Sequence, residues 1–377
     1  MVGQLMKLYE RSKKLRYGLP NIDIIFTQKA VTAVQRSERG VLAIIVKDSK
    51  QVQGVQRFTY KRMSDIDKDD FSEANLVDIK RAFDVAVNKV YVFRCAGATE
   101  PADAVREIEK VKFNYICTND ANYQQGLATY TRQFDANSKG HKIVCVVANV
   151  ETADSKYIVN LKGTGGTLKS GGTVSAAGYT IRVASTLCNL PMNRSLTCYV
   201  FSDLASWDDT YIDTDDTIDS WIDKGFLTLI NDDGQVKCGR AVNSLVTFTS
   251  TDTEDMSHII IVEAMNMILE DIYDTFKNYY VGKYKNTLSN QRLFISSVNT
   301  YFKQLGREEV LDDAYDNHAY IDIESQRLAW TGIGKEEAND WDDHTIETMT
   351  FRTNVYLAGN AKISDAMEDL RFEIALA

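Results

Sequence analysis

The sequence predicts an α/β fold, α+β overall: an open Rossmann-like sheet with a β-rich surface insertion, then a C-terminal α+β domain with extended arms at both chain ends. Three observations predict it. Apolar strand-like runs alternate with helical spacings four times between residues 20 and 150. The rhythm then breaks at the Gly-rich stretch LKGTGGTLKSGG. The last third opens on apolar residues stepping by three and four, and closes on segments of period two. The resulting division is an arm at 1–19, an α/β domain at 20–150, an insertion at 151–250, a C-terminal domain at 251–361 and a closing arm at 362–377.

Residues 1–19 carry Lys7, Arg11, Lys13, Lys14 and Arg16 against the single acid Glu10, with few apolar residues. Such a segment has no core of its own and frays unless something outside it holds it. Ile22, Ile24 and Phe26 then alternate as in a strand. Val41 to Val46 is an unbroken apolar run, the pattern of a strand buried on both faces. Leu76, Ile79, Phe83 and Val87 recur at helical spacing, and Val90 to Phe93 is strand-like again. Pro101 suits the first turn of a helix with Val105, Ile108 and Val111 inward. A short strand at Phe113–Cys117, a helix through Leu127, Tyr130 and Phe134, and a strand at Ile143–Ala148 complete an open, largely parallel sheet.

In the insertion, Asp203 to Asp223 holds eight Asp and no Lys or Arg, which reads as water-exposed surface. Beyond it, Ile261, Met265, Ile268, Ile272, Phe276 and Tyr279 define a long amphipathic helix whose apolar stripe should face the C-terminal core, with Thr253 and Asp255 as N-cap candidates. Phe294, Val298, Tyr301, Phe302 and Leu305 define a second helix, for which Gly306 is the expected stop. Met349, Phe351, Val355 and Leu357 keep period two, as do Leu370, Phe372, Ile374 and Leu376, giving two half-buried strands.

Composition narrows the function. The 377 residues are 44% apolar and 25% charged, ordinary globular usage for a chain of two or three domains. A net charge of −10, from 43 Lys and Arg against 53 Asp and Glu, disfavours non-specific DNA binding, which needs clustered positive charge. The N-terminus MVGQLMKLYERSKK lacks the apolar stretch of a signal peptide, and no apolar run reaches the ~18 residues of a membrane span, so a soluble protein made in the cytoplasm is expected. Cys95, Cys117, Cys145, Cys188, Cys198 and Cys238 form no CxxC pair and read as buried reduced thiols.

Motifs for chemistry fail one by one. Gly163 to Ser170 nearly spells a phosphate-binding loop, but Leu168 stands where glycine must precede Lys169-Ser170, so a hairpin loop is the better reading. The strand ending at Phe93 is followed by one glycine, Gly97, where a dinucleotide fingerprint needs three. Counted as a Ca²⁺ loop from Asp208, through Asp209, Asp213, Asp215 and Asp216, the acidic cluster has Asp213 and Asp219 where Gly and Glu belong. No two of His141, His258, His318 and His344 are four apart, and there is no G-x-S-x-G elbow. No cofactor, no metal and no catalytic residue is expected. Beside a structural polymer subunit, two readings stay open: an enzyme on a Rossmann-like fold, and a monomeric surface- or carbohydrate-binding protein with a β insertion.

Three stretches resemble one family. GLPNIDIIFTQKAVTAVQRSERGVLAIIVKD (18–48), DTEDMSHIIIVEAMNMILEDIYDTFKNYYVGKYKNT (252–287) and VYLAGNAKISDAMEDLRFEIAL (355–376) are similar to the sheath proteins of contractile phage tails, especially the short sheaths of Gram-positive prophage elements and contractile bacteriocins. The match in 151–250 is poor. The resemblance implies a homo-oligomer of stacked hexameric rings around an inner tail tube, contracting to drive that tube through a target envelope. It implies baseplate and tail-terminator proteins as further partners, no direct nucleic-acid contact and no membrane insertion. Assembly in the bacterial host cytoplasm and release within a tail or tail-like particle follow. It also implies strand pairing between subunits, for which Leu5, Leu8, Met349, Phe351, Val355, Leu370, Phe372, Ile374 and Leu376 are the candidates. Lys277, Lys283 and Lys285, basic within an acidic chain, are either a solvated helix end, where Lys also suits the helix dipole, or the contact to an acidic tube surface.

Overall fold

The computed structural model describes residues 33–36, 39–96, 101–208 and 215–375. The expected N-terminal arm, the strand at Ile22–Phe26, Leu5, Leu8, Asp209, Asp213 and Leu376 lie outside the described residues. The α/β part opens with β1 (Val41–Lys47), β2 (Val55–Tyr60), α1 (Glu73–Arg81), β3 (Lys89–Cys95), α2 (Pro101–Ile108), β4 (Tyr115–Thr118), α3 (Gln124–Asn137) and β5 (Val144–Ala148). Helix α1 ends before Phe83 and Val87, which the periodicity had included, and β2 is an edge strand with a largely polar, exposed sequence that carries no apolar run.

Residues 151–250 carry β-rich pieces outside the main sheet and also supply strands to it. They supply β6 (Ile158–Leu161), β7 (Gly165–Leu168), β8 (Thr173–Ser175), α4 (Ala176–Asn189), β9 (Leu204–Trp207), α5 (Asp215–Asp223), β10 (Phe226–Leu227), β11 (Leu229–Asp232) and β12 (Gln235–Cys238). The main sheet runs β10-β6-β5-β4-β1-β3-β2, parallel except where β2 meets β3, so two of its strands come from this region. Period two sorts the sheet's side chains onto two faces. Leu42, Ile44, Val46, Val144 and Val146 pack with Ile79 of α1 and with Tyr179, Ile181 and Val183 of α4. Ala43, Ile45, Cys145 and Val147 pack on the other face with Ile108 of α2 and Leu127 of α3. Helix α4 is buried from Ala176 through Leu187, which leaves it no charged face.

The Gly-rich stretch is a hairpin: β7 pairs with β8 and, on its other side, with β9. Gly165 has φ +151°, and a Cβ there would stand 2.1 Å from the Val174 carbonyl oxygen. Close backbone approach explains this glycine without a phosphate. Cys198 is exposed, against the expectation of burial, and holds a left-handed φ of 58° in its loop.

The C-terminal part contains α6 (Ile259–Thr275), a π-helical turn at Phe276–Tyr280, α7 (Leu288–Arg307), β13 (His318–Ile321), α8 (Ile323–Thr331), α9 (Asp343–Thr348) and β14 (Leu357–Asn360). Thr253 precedes a separate 3-10 turn and makes no side-chain cap; α6 begins only after His258. Helix α7 runs one residue past Gly306, and the left-handed turn falls at Glu309, φ 60°. Phe294, Val298, Tyr301, Phe302 and Leu305 line its buried face as the spacing predicts. No helix among the described residues is long and apolar enough to cross a membrane.

Candidate assembly surface

Helix α6 sits with its charged side inward. Glu263, Asn266, Glu270, Asp271 and Thr275 are buried, while Met265, Ile268 and Ile272 are only partly covered. Ile261 is buried, and Ile268, Ile272 and Phe276 pack, partly covered, against the C-terminal core as the stripe predicts. The inward carboxylates are met one by one. Arg39 reaches Glu263 at 2.5 Å and Glu270 at 3.5 Å. Lys112 lies 3.5 Å from Glu270, and His141 Nδ1 contacts the same carboxylate. Asp271 accepts from the Tyr301 hydroxyl at 2.7 Å and lies 3.8 Å from Arg36, which also pairs with Glu308. Gln35 N donates to Thr275 Oγ1 at 3.0 Å. Burial of such charges is tolerated only when each is paired, and removing one partner is costly. Burial, then the Lys112 cation, push the His141 imidazole down to about 4, so it donates as a neutral ring.

The outward stripe of α6 floors an apolar groove of about 610 Å³. Met265, Ile268, Leu269 and Ile272 meet Phe294 of α7 and Val355, Leu357 and Ile363 across it. Its wall is a two-stranded sheet in which β13 and β14 pair antiparallel, Ile321 opposite Leu357 and His318 opposite Asn360. Asp322 N donates to Tyr356 O at 3.1 Å, which sets the alternation of the ladder. Ala319 then turns its N–H and C=O away from β14, and the Asn299 side chain takes both, at 2.7 and 3.5 Å. Leu357 and Gly359 turn theirs away from β13, and no strand lies there among the described residues. An unpaired edge of this kind templates a further strand.

The candidate pairing residues separate. Val355 and Leu357 border the groove. Met349 ends α9, its carbonyl accepting from Trp330 Nε1 at 2.8 Å, and Phe351 is buried edge-on against Trp330 at 4.9 Å. No strand runs through 349–356, because Arg352 takes a φ of 45°. Leu370, Phe372 and Ile374 lie outside any strand and are bare rather than half-buried, at 88%, 74% and 71% exposure. Lys283 and Lys285 line a second cavity of about 500 Å³ with Arg352, next to the groove. Lys277 faces a different recess with Lys112 and His141.

The crevice where a doubly wound sheet offers a ligand site lies between the ends of β1 and β4. It is filled by the chain itself. Asp48 accepts from Ser72 N at 2.8 Å, Ser72 Oγ at 2.9 Å and Asn75 Nδ2 at 2.7 Å. Asn119 Nδ2 donates to Asn75 at 2.8 Å and to Asp78 at 2.9 Å. Among the described residues no three His, Cys, Asp or Glu side chains group as metal ligands.

Residues 251–377 match the family model for the phage tail sheath C-terminal domain. A tail sheath protein of Clostridium phage phiCD119 is 29% identical over 371 residues, covering 95% of this chain and 99% of that protein. The crystal structure of a sheath tail protein from Desulfitobacterium hafniense superposes with a TM-score of 0.64 at 16% identity, over 80% of this chain and 94% of that one. The helical sheath of the anti-feeding prophage in its contracted state gives a TM-score of 0.66 at 12% identity, over 95% and 99% of the two chains. The fold is that of sheath proteins of contractile tails and injection systems. Over 95% of its length the chain is similar to a tail sheath protein, and its residues 251–377 match the sheath C-terminal domain.

Proposed function

We propose that this sheath subunit polymerises as stacked hexameric rings around an inner tail tube, and that its neighbours are joined by strand addition at the free edge of β14. The observation that carries this is the apolar groove that α6 leaves partly open beside β14. The charged face of α6 is locked inward, so its apolar stripe is left to floor a groove beside an unpaired strand. The occupant is the C-terminal segment of a second copy. Leu370, Phe372 and Ile374 alternate, are exposed on their own subunit, and match a groove that wants apolar side chains at every second position. Burying one such side chain contributes ~1.5–3 kcal/mol, so three suffice for a specific link. Leu5 and Leu8 of the N-terminal arm and Leu376 belong to the same exchange; Met349 and Phe351, buried or capping in their own subunit, do not.

Lys283 and Lys285 form the contact to an acidic tube surface, with Lys277 at its margin. Exposed ion pairs are each worth ~0–1 kcal/mol, so the tube is released easily at any one site and held by repetition. The β7–β8 hairpin and the Asp-rich segment face outward, away from the tube. Contraction drives the tube through the target envelope without nucleotide, its energy stored in subunit packing behind a kinetic barrier. The filled crevice at β1 and β4 supports a subunit that catalyses nothing. Baseplate and terminator proteins bind the ends of the polymer, which assembles in the host cytoplasm and leaves with the particle.

Electron microscopy tests the reading. The whole chain should form sleeves, and a chain lacking residues 1–17 should stay folded, soluble and unassembled. Normal sleeves from the truncated chain would overturn the proposal.

A further inference from the structure

The C-terminal segment does not leave the body at the end of β14. Past Ile363, Ser364 N donates to Val310 O at 3.0 Å, and the next residues cross the α/β part on acidic side chains. Asp365 meets His258 Nδ1 at 2.6 Å, just ahead of α6. Glu368 Oε1 accepts from the Thr197 hydroxyl at 2.7 Å, with Ser195 Oγ at 3.0 Å, while its other oxygen lies 3.5 Å from Arg240. Arg240 Nη2 stands 2.7 Å from both oxygens of Asp369. Thr197 Oγ1 is itself fixed by the Ala241 N–H at 2.8 Å, and Ser195 Oγ by the Thr197 N–H at 3.1 Å. The hydroxyls are thus aimed before the tail arrives. The next apolar side chain, Leu370, is bare, and Arg371 pairs only along the tail, with Glu373. Met367 within this acidic root is also bare, and the root is held through the carboxylates of Asp365, Glu368 and Asp369, the last contact before Leu370.

We infer that Arg240, His258, Ser195 and Thr197 form a seat that binds the acidic root of the C-terminal segment, Asp365 to Asp369, on its own subunit. The seat fixes the point at which Leu370–Ile374 departs, and so presents that stretch pre-extended to a second copy. Pre-organisation of this kind lowers the ordering cost of association. Only this use depends on the strand-exchange reading; the seat itself is intramolecular. It also connects the two ends of the described chain. Helix α6 begins beside the residue that holds the C-terminal root and carries the carboxylates that hold Arg36 and Arg39 near the N-terminal one.

Tryptic cleavage after Arg371 reports the seat, because a protease must draw residues on both sides of the bond into an extended, mobile form. Mass spectrometry of the dilute, unassembled full chain follows release of Phe372–Ala377. Arg240→Ala and the pair Ser195→Ala/Thr197→Ala alter only the body, so the cleaved sequence stays the same. Each should speed cleavage several-fold, the effect of losing an exposed ion pair or a pair of hydroxyl hydrogen bonds. Added salt should speed wild type toward the variant rate. Lys237→Ala, whose partner is Asp232, should leave the rate unchanged. Equal rates in wild type and both seat variants overturn the seat, as does equal acceleration by Lys237→Ala, which would mean general loosening. Sleeves should also form more slowly with Arg240→Ala; fast cleavage with unaltered sleeve growth overturns the positioning role. A chain ending at Arg371 that still builds sleeves would refute strand exchange and leave the cleavage test standing.

Discussion

Tyr301 of α7 donates its hydroxyl to Asp271 of α6 at 2.7 Å, and the carboxylate it serves has no exposed surface. The bond adds a buried charge to the apolar cluster that the two long helices of the C-terminal part share through Ala264, Met267, Phe294, Val298 and Phe302. Tyr301→Phe should leave Asp271 short of a donor and cost about 1–3 kcal/mol, the penalty of an unsatisfied buried acceptor. Urea unfolding monitored by circular dichroism would measure it, and a change below ~0.5 kcal/mol would show the bond to be dispensable.

The same network makes stability depend on pH through His141. Its imidazole titrates near 6.5 when unfolded and at about 4 when folded, because burial, Lys112 and Arg39 oppose its charge. Between those values the unfolded chain binds more protons, so stability rises with pH from about 4 to about 6.5 and is flat above. The slope should amount to about 1–3 kcal/mol in all. His141→Asn keeps a donor toward Glu270 and should remove this contribution; an unchanged difference between pH 4.5 and pH 7 would refute it.

The bare tail separates folding from assembly. Phe372→Asp with Ile374→Asp changes two exposed side chains, so thermal unfolding of the monomer should shift by no more than ~0.5 kcal/mol. Sleeve formation should be lost, since the groove would have to bury carboxylates. Sedimentation at matched concentrations reads the outcome, and sleeves of normal yield would exclude the groove as the docking site.

Charge reversal at Lys283 and Lys285 should act on a different step. Assembly around purified tubes should fall, most at low salt where surface pairing is strongest, while empty sleeves still form. Equal binding of variant and wild type to tubes, at low and high salt alike, would place the tube contact elsewhere.

The sheet was legible because β1 and β5 are nearly continuous apolar runs, β3 carries one at Val90–Phe93, and α2, α3 and α7 carry an apolar face at regular spacing. Helix α4 escaped because it is covered on nearly every side, with Thr180, Arg182, Ser185 and Thr186 buried among its apolar residues, so no charged face marks it. Strands β6 and β10 escaped because four residues and two are too short to alternate visibly. The period-two pattern at Met349 and Phe351 misled, because its residues serve a helix end and an aromatic cluster around Trp330.

The assembly surface was half legible. The last residues alternate in the sequence, and Val355 and Leu357 border the groove. The inward charges of α6 were not legible: Glu263, Glu270 and Asp271 look like the wet side of an amphipathic helix. Their partners lie far away in the chain, Arg39 being 224 residues from Glu263. Only the fold brings such groups together.

The locked face of α6 also says how this subunit moves. A packed apolar interface can slide by a fraction of a side chain, because dispersion has no preferred partner. Arg39 between Glu263 and Glu270 cannot, since any slip strands a charge in a dry interior. The sheath domain and the sheet beneath it therefore travel as one piece. Displacement when a lattice shortens should collect outside this lock and beyond the held root, past Asp369. Mutations that soften the lock should blunt the stroke by letting the body absorb strain that this segment would otherwise transmit.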